Sequence, residues 1–441
     1  MAIKKHLNFT SLRRTVSEVF NNISDWRQKG KVTISIHDAM LSGFACMYFQ
    51  DPSLLQFQQR MQEEQHQNNL RTFFDVQHIP KETQMREIID NIDSEHFRPI
   101  FRDLYQKLQR GNYLEQFQIF PNMYYFSMDG SQFYSSHEIS CDQCLVKEFQ
   151  NGSKVYSHQI LQGGIMHPDL SEVILFMPEQ IINTDGTTKQ DCEMNAAKRF
   201  IKKLYQGFPK LDMLIGGDAL FSKQPIIEDI LRCNMHYLFA AKPDDHTYMM
   251  QYLEDEPIMH IEFFDKKGLR HFYEWANCIP LNGGKDPVAV NFLRCTITGK
   301  RTKKSEEEVL FKNSWVTDII INKDNIEILV KAGRCRWKNE NECFNVMKNQ
   351  GYCMEHSYGH GKKHLAFNFY LLTLLAFYFH QIFELTDTLY QASRKKFGSK
   401  IHLWETLRSY IKIIVFDTWE ALLEFALNPT VYQLVAKDSS P

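Results

Sequence analysis

The sequence has no surplus of positive charge. Its 51 lysines and arginines stand against 53 aspartates and glutamates, for a net charge of −2 and a pI near 6.8. That excludes a chain that is basic all over, so any nucleic-acid surface must be a local patch balanced by acids elsewhere. Secreted-type cysteine spacing is missing as well. The ten cysteines are scattered, with Cys46, Cys233, Cys278 and Cys295 inside apolar segments, which suits reduced thiols rather than a disulfide framework. Met1 to Arg14 lacks the apolar core of a signal peptide. Together these features lead to the expectation of a cytoplasmic protein. No internal repeat or low-complexity tract stands out. One long stretch lacks charge altogether, Leu365 to Phe383. It is long enough to cross a bilayer, but it contains Asn368, Thr373, His380 and Gln381 and has no companion. A buried helix is therefore expected, with no membrane among the partners.

What remains is globular: 43% hydrophobic, 13% aromatic and 24% charged over 441 residues, enough for two or three domains. Residues 1–115 read as short helices joined by polar turns, including an apolar helix from Asp38 to Phe49 and another opening at Pro80. They would serve as a DNA-binding region or as a plain structural cap. From 122 the pattern becomes β-like. Strands are predicted at Tyr124–Met128, Val155–Ile165, Val173–Phe176, Leu211–Ile215 and Tyr237–Ala241. Helices are predicted from Gln190 to Tyr205 and from Pro225 to Arg232, the first with Met194, Ala197, Phe200, Ile201 and Leu204 on one face. This is a mixed α/β sheet with helices. Five further β-type runs lie between Met259 and Ile321: Met259–Phe264, His271–Trp275, Val288–Thr298, Val309–Phe311 and Trp315–Ile321. Past Gly333 the chain reads as helical, near 335–349, 364–387 and 402–427.

Three acids stand out. Asp129 and Asp218 each close an apolar strand-like run, and each sits beside a glycine that permits close approach. In α/β sheets ligands gather beyond the carboxyl ends of strands. Asp-Gly also favours turns, so the competing reading is a pair of turn aspartates. The third acid is Glu340 or Glu342. At about 100° per residue, Arg336, Trp337, Phe344 and Met347 share a face with Glu340, and Glu342 lies opposite. A carboxylate on an apolar stripe is costly unless it is paired or metal-bound. The competing reading for Glu340 is an i,i+4 ion pair with Arg336. Three converging carboxylates suit two divalent cations, and two cations beside a nucleic-acid phosphate suit phosphodiester chemistry.

The same residues carry a family resemblance. Met128–Gln132, Lys189–Arg199, Gly216–Phe221, Gly333–Glu342 and Gly351–Gly361 match, in order and spacing, the DDE transposases of bacterial insertion sequences. The likeness is to the group with a β-rich insertion before the final Glu, and it covers roughly residues 60–390. It implies a ribonuclease-H-like fold with Asp129, Asp218 and Glu340 as ligands of two Mg²⁺ or Mn²⁺ ions. It also implies DNA partners, both terminal inverted repeats and target, and a homodimer on DNA. The implied layout is a helical DNA-binding region at 1–115, catalytic parts at 116–245 and 333–390, an insertion at 246–332, and a helical region at 391–441. The family often carries a Tyr three residues before the Arg and a Lys seven after the Glu. Here Gly333 and Met347 hold those places, with Lys348 one position late, so the cleavage route, through a DNA hairpin or otherwise, is left unassigned. Two other readings stay open: a ribonuclease-H-like nuclease without strand transfer, and a non-catalytic helical DNA-binding protein.

Candidate phosphate contacts are Arg336, Lys348, the run Lys300, Arg301, Lys303, Lys304, the pair Lys362 and Lys363, and the cluster Arg394 to Lys396. Each basic cluster can equally be a solvated face. Cys141 and Cys144, with His158 after them and His137 before, have spacing compatible with a structural Zn²⁺. His356, His360 and His364 recur every four residues, but Gly359 and Gly361 favour a tight turn over a helical metal face.

Overall fold

The computed structural model describes residues 4–61, 64–183, 191–301, 306–356 and 358–429. Lys303 and Lys304, as well as Lys189 and Gln190 of the matched stretch, lie outside these residues. The chain divides into two compact units. One comprises 1–114, 132–158 and 344–441; the other comprises 115–131 and 159–343.

The second unit carries all three acids. Its main strands are β1 (Met123–Ser136) and β2 (Lys154–Met166), which both run on past the unit's boundaries, then β3 (Asp212–Gly217), β4 (His236–Ala240), β5 (Met259–Phe264), β6 (Arg270–Pro280), β7 (Ala289–Gly299) and β8 (Glu308–Thr317). Their order in the sheet is β2-β1-β3-β4-β8-β7-β6-β5. β3 is parallel to both β1 and β4, whereas β8 to β5 are antiparallel. The sheet is therefore mixed. Tyr124 to Met128 and Met213 to Gly217 are buried without alternation, as expected of parallel strands covered on both faces. Helix α1 (Glu193–Gly207) buries Ala196, Ala197, Phe200, Ile201 and Leu204, a spacing of three and four that lays one face down. Helix α2 (Gln224–Arg232) buries Ile226, Ile227 and Ile230 in the same way and connects β3 to β4.

The β-rich stretch expected as a separate insertion is not a free-standing sheet. β8 pairs with β4 from Trp315↔Ala240 to Thr317↔Leu238, so the antiparallel strands continue the parallel ones. The two short runs expected at 309–311 and 315–321 are a single strand, broken only by a register shift opposite Ile297 and Thr298.

The first unit is mostly helical. Its centre is helix α3 (Leu365–Thr386), the uncharged stretch, whose apolar window is wholly buried within the protein. It packs on the helices Ile36–Tyr48 and Glu82–Asp90. Several of its polar residues are partnered: Asn368 donates to the carbonyls of Ile89 and Ile92 and accepts from Ser94 Oγ, each at 2.8 Å. His380 lies 2.6 Å from the Tyr352 hydroxyl and stacks on Trp404. Asp90 caps the start of α3, accepting backbone N–H bonds from Lys362, Lys363, His364 and Leu365 at 2.9–3.1 Å. The single C-terminal helix expected over 402–427 is two helices, Lys400–Ile413 and Trp419–Leu427. The break follows a β-branched run at Ile413 to Val415. The Asn69 side chain takes up the freed Phe416 N–H and Ile414 carbonyl, and Thr418 caps the new helix.

Candidate active site

β1 and β3 are parallel neighbours with Ser127 opposite Gly216. Two residues further along each segment come Asp129 and Asp218, and the charge of Asp218 acts on Asp129. Both were expected at strand ends. Asp218 does stand just past the end of β3, but β1 continues through Asp129 to Ser136, carried on by Phe133 and Tyr134. Asp218 Oδ1 accepts the Leu220 N–H at 2.9 Å, so this residue is also the turn aspartate of the competing reading. Its other oxygen is not used by that turn.

Glu340 was expected on a regular helix one turn after Arg336. The α-helix instead ends at Cys335, and Asn339 to Phe344 form a π turn. Such widened turns recur at functional sites because they re-aim side chains. Trp337, placed on the buried stripe by simple phasing, is 54% exposed. Arg336 points its Nη1 to Asp129 Oδ2 at 3.3 Å rather than holding Glu340, and its guanidinium rests on the Trp337 ring. The charge of Glu340 acts on Asp129 and on Cys343, and that of Glu342 acts on Cys335.

A fourth carboxylate escaped the sequence reading. Glu193 opens α1, and a Cβ built on Gly130 would come within 2.3 Å of its Oε1, so the carboxylate lies against the backbone beside Asp129. Burial raises its pKa, with Asp218 and then Asp129 adding repulsion. The available signal was its place as the first helical acid of the Lys189–Arg199 stretch, where a helix N-terminus favours negative charge.

Asp129 sits in a strongly perturbing environment. Burial pushes its pKa up to about 6; Arg336 opposes the shift, and Asp218 and Glu340 add to it. A native carboxyl that holds its proton more tightly than the unfolded chain costs stability once ionised. That cost is absent near pH 4 and complete above the folded pKa. In metal-free protein, Asp129→Asn should therefore gain in thermal midpoint on the parent as pH rises from about 4 to about 8. A constant difference in calorimetry would contradict the placement.

The donor set is all carboxylate oxygen, with one guanidinium among four acids, which suits hard divalent ions. Among the described residues, the ligand-type atoms that converge within 4.8 Å are those of Cys141, Cys144, His158 and His360.

The remaining expected residues are scattered. Lys300 and Arg301 are exposed just past β7, with Arg301 Nε 2.8 Å from Glu308. Lys348 pairs with Glu355 at 3.2 Å. Lys362 and Lys363 give their backbone N–H groups to Asp90, and Lys363 Nζ binds Asn91. Arg394 pairs with Glu384, and Lys396 caps the carbonyls of Ala426 and Leu427. His137 does not join the cysteines; it is exposed, with Nδ1 3.1 Å from the Lys154 carbonyl. His360 takes its place. His356 and His364 precede α3 and lie outside any helix.

No family model matches the chain, and no curated protein does. A solved structure similar to it is the cryo-EM piggyBac transposase synaptic complex with hairpin DNA, over 96% of this chain and 81% of that one, at 13% identity and a TM-score of 0.42. That protein is a piggyBac transposase, not an insertion-sequence protein. At this level of similarity no residue role passes from it to this chain.

Proposed function

We propose that the chain is a DDE-type DNA transposase with a ribonuclease-H-like core, which cleaves phosphodiesters at the ends of its element and joins them to target DNA. What supports this reading is that Asp218 and Glu340 both act electrostatically on Asp129, whose Oδ2 lies 3.3 Å from Arg336 Nη1. Asp129, Asp218 and Glu340 would hold two Mg²⁺ or Mn²⁺ ions, and Glu193 lies close enough to brace them. When bound, such ions activate a hydroxyl nucleophile and stabilise a leaving oxygen.

The chain's own residues prepare the site. Asp129 must lose its proton to act as a ligand, and Arg336 favours that loss. Burial, then Asp218 and Asp129, raise the Glu193 pKa, and arriving positive charge would favour its ionised form. Gly130 leaves room for that carboxylate. Lys300 and Arg301 are exposed cations suited to a DNA backbone. The partners are terminal repeats and target DNA, and the working form is a homodimer on DNA.

The test uses full-length protein, Mn²⁺ and a plasmid carrying the element's own flanks. Parent protein should cut at the repeat ends and integrate them into a supercoiled target, and Asp218→Ala should do neither. Cutting without joining would favour the nuclease reading. Full cleavage by Asp218→Ala would overturn the catalytic assignment.

A further inference from the structure

The first unit contains a second constellation that the phosphodiester chemistry does not use. Cys141 and Cys144 lie on the turn after β1, His158 lies on β2, and His360 lies in the turn before α3, more than two hundred residues along the chain. The Sγ atoms are 3.8 Å apart. His158 Nε2 is 3.7 Å from Cys141 Sγ and 3.5 Å from Cys144 Sγ. His360 Nε2 is 3.3 Å from Cys144 Sγ and 3.1 Å from His158 Nε2.

Those spacings can be compared with a tetrahedron. Zinc bonds of about 2.3 Å to sulfur and about 2.05 Å to nitrogen set the edges at about 3.8 Å for S–S, about 3.6 Å for S–N and about 3.3 Å for N–N. Each of these five distances falls within about 0.3 Å of its edge, and the sixth, Cys141 to His360, is within 4.8 Å. A disulfide would need about 2.05 Å between the sulfurs, so both thiols are free to act as ligands.

The surroundings fit as well. His360 Nδ1 lies 2.9 Å from the Gly361 carbonyl, to which it can donate, and that tautomer leaves the Nε2 lone pair facing the cluster. The Cys141 N–H points to Cys144 Sγ at 3.5 Å, the kind of bond that stabilises a thiolate. The rings are wedged in place, His158 against Phe133 and His360 against Tyr134. Gly359 and Gly361 both adopt positive φ, which the turn carrying His360 requires, and Asp90 ties down the residues just after it.

We propose that Cys141, Cys144, His158 and His360 bind a structural Zn²⁺ that staples segment 132–158 to the turn before α3. Four protein ligands leave no position open for substrate, which separates this site from the carboxylate one. Binding removes two thiol protons and joins segments far apart in sequence, so the metal contributes directly to folding of this unit.

The test is metal content and spectroscopy of the full-length chain, independent of any activity on DNA. Protein purified under reducing conditions should carry a single zinc. Replacement by Co²⁺ should give the intense visible d–d bands of a tetrahedral site together with thiolate charge-transfer bands. Cys144→Ser and His360→Ala should lose the zinc, and His137→Ala should keep it. Parent protein that holds no zinc and gives no such Co²⁺ spectrum would overturn the proposal, whatever the variants do. So would a native Cys141–Cys144 disulfide found by mass spectrometry, or full zinc retention by soluble His360→Ala.

Discussion

Glu340→Gln is expected to lower metal-dependent DNA cleavage by about a thousandfold or more, with Glu342→Gln remaining within about twofold of the parent. The two acids are two residues apart in one π turn, and both are partly exposed. Local environment alone gives little reason to separate them, so the prediction rests on direction. Glu340 adds to the repulsion on Asp129, and Glu342 acts on Cys335 beneath the turn. Removing one ligand charge from a two-metal site forfeits several kcal/mol of transition-state stabilisation, and each 1.4 kcal/mol is about tenfold in rate. Gln keeps the size and hydrogen-bonding reach of Glu, so a large loss would report charge. The readout is initial cleavage rate at saturating Mn²⁺, with circular dichroism as the check on folding. Equal losses in the two variants would show that the π turn aims otherwise.

The residues explain why so much of this was legible beforehand and why some was not. β1, β3 and β4 carry unbroken buried runs, and the ends of β3 and β4 are fixed to within two residues by them, whereas β1 runs on to Ser136. α1 and α2 show their buried faces as plain three-and-four spacing. Phasing at about 100° per residue selects Glu340, yet the helix it assumes widens into a π turn at Asn339–Phe344. The same phasing misplaced Trp337, because a π turn adds a residue that no periodicity in six positions reveals. Asp129 looked like a strand end because Asp-Gly usually ends strands; here the sheet's pairing overrides the local preference. Spacing places neither Glu193 with the carboxylates nor His360 with the cysteines. Glu193 becomes visible through its contact with Gly130, and His360 reaches the cysteines across more than two hundred residues, whereas His137, nearer in sequence, is turned to solvent.

Asn368→Leu in α3 is expected to destabilise the protein by about 3–5 kcal/mol, although it makes the most membrane-like segment of the chain more apolar. The sign distinguishes two physical situations for one sequence. In a bilayer span, replacing a buried amide with leucine favours insertion. In α3 the amide bonds with Ile89, Ile92 and Ser94, all away from solvent. Leucine has nearly the same shape, so little cavity opens, and the loss comes from partners left without the amide, at about 1–3 kcal/mol for each group stranded. The Ile89 carbonyl also accepts from the Ile92 N–H, which keeps the total below a simple sum of three such losses. Thr373→Val is the matched control, because that hydroxyl bonds only back to the Phe369 carbonyl of its own helix and should cost no more than about 1 kcal/mol. Urea unfolding followed by near-ultraviolet circular dichroism measures both. A raised midpoint for Asn368→Leu, or its transfer to the membrane fraction with native signal intact, would mean that α3 is not the core helix described above.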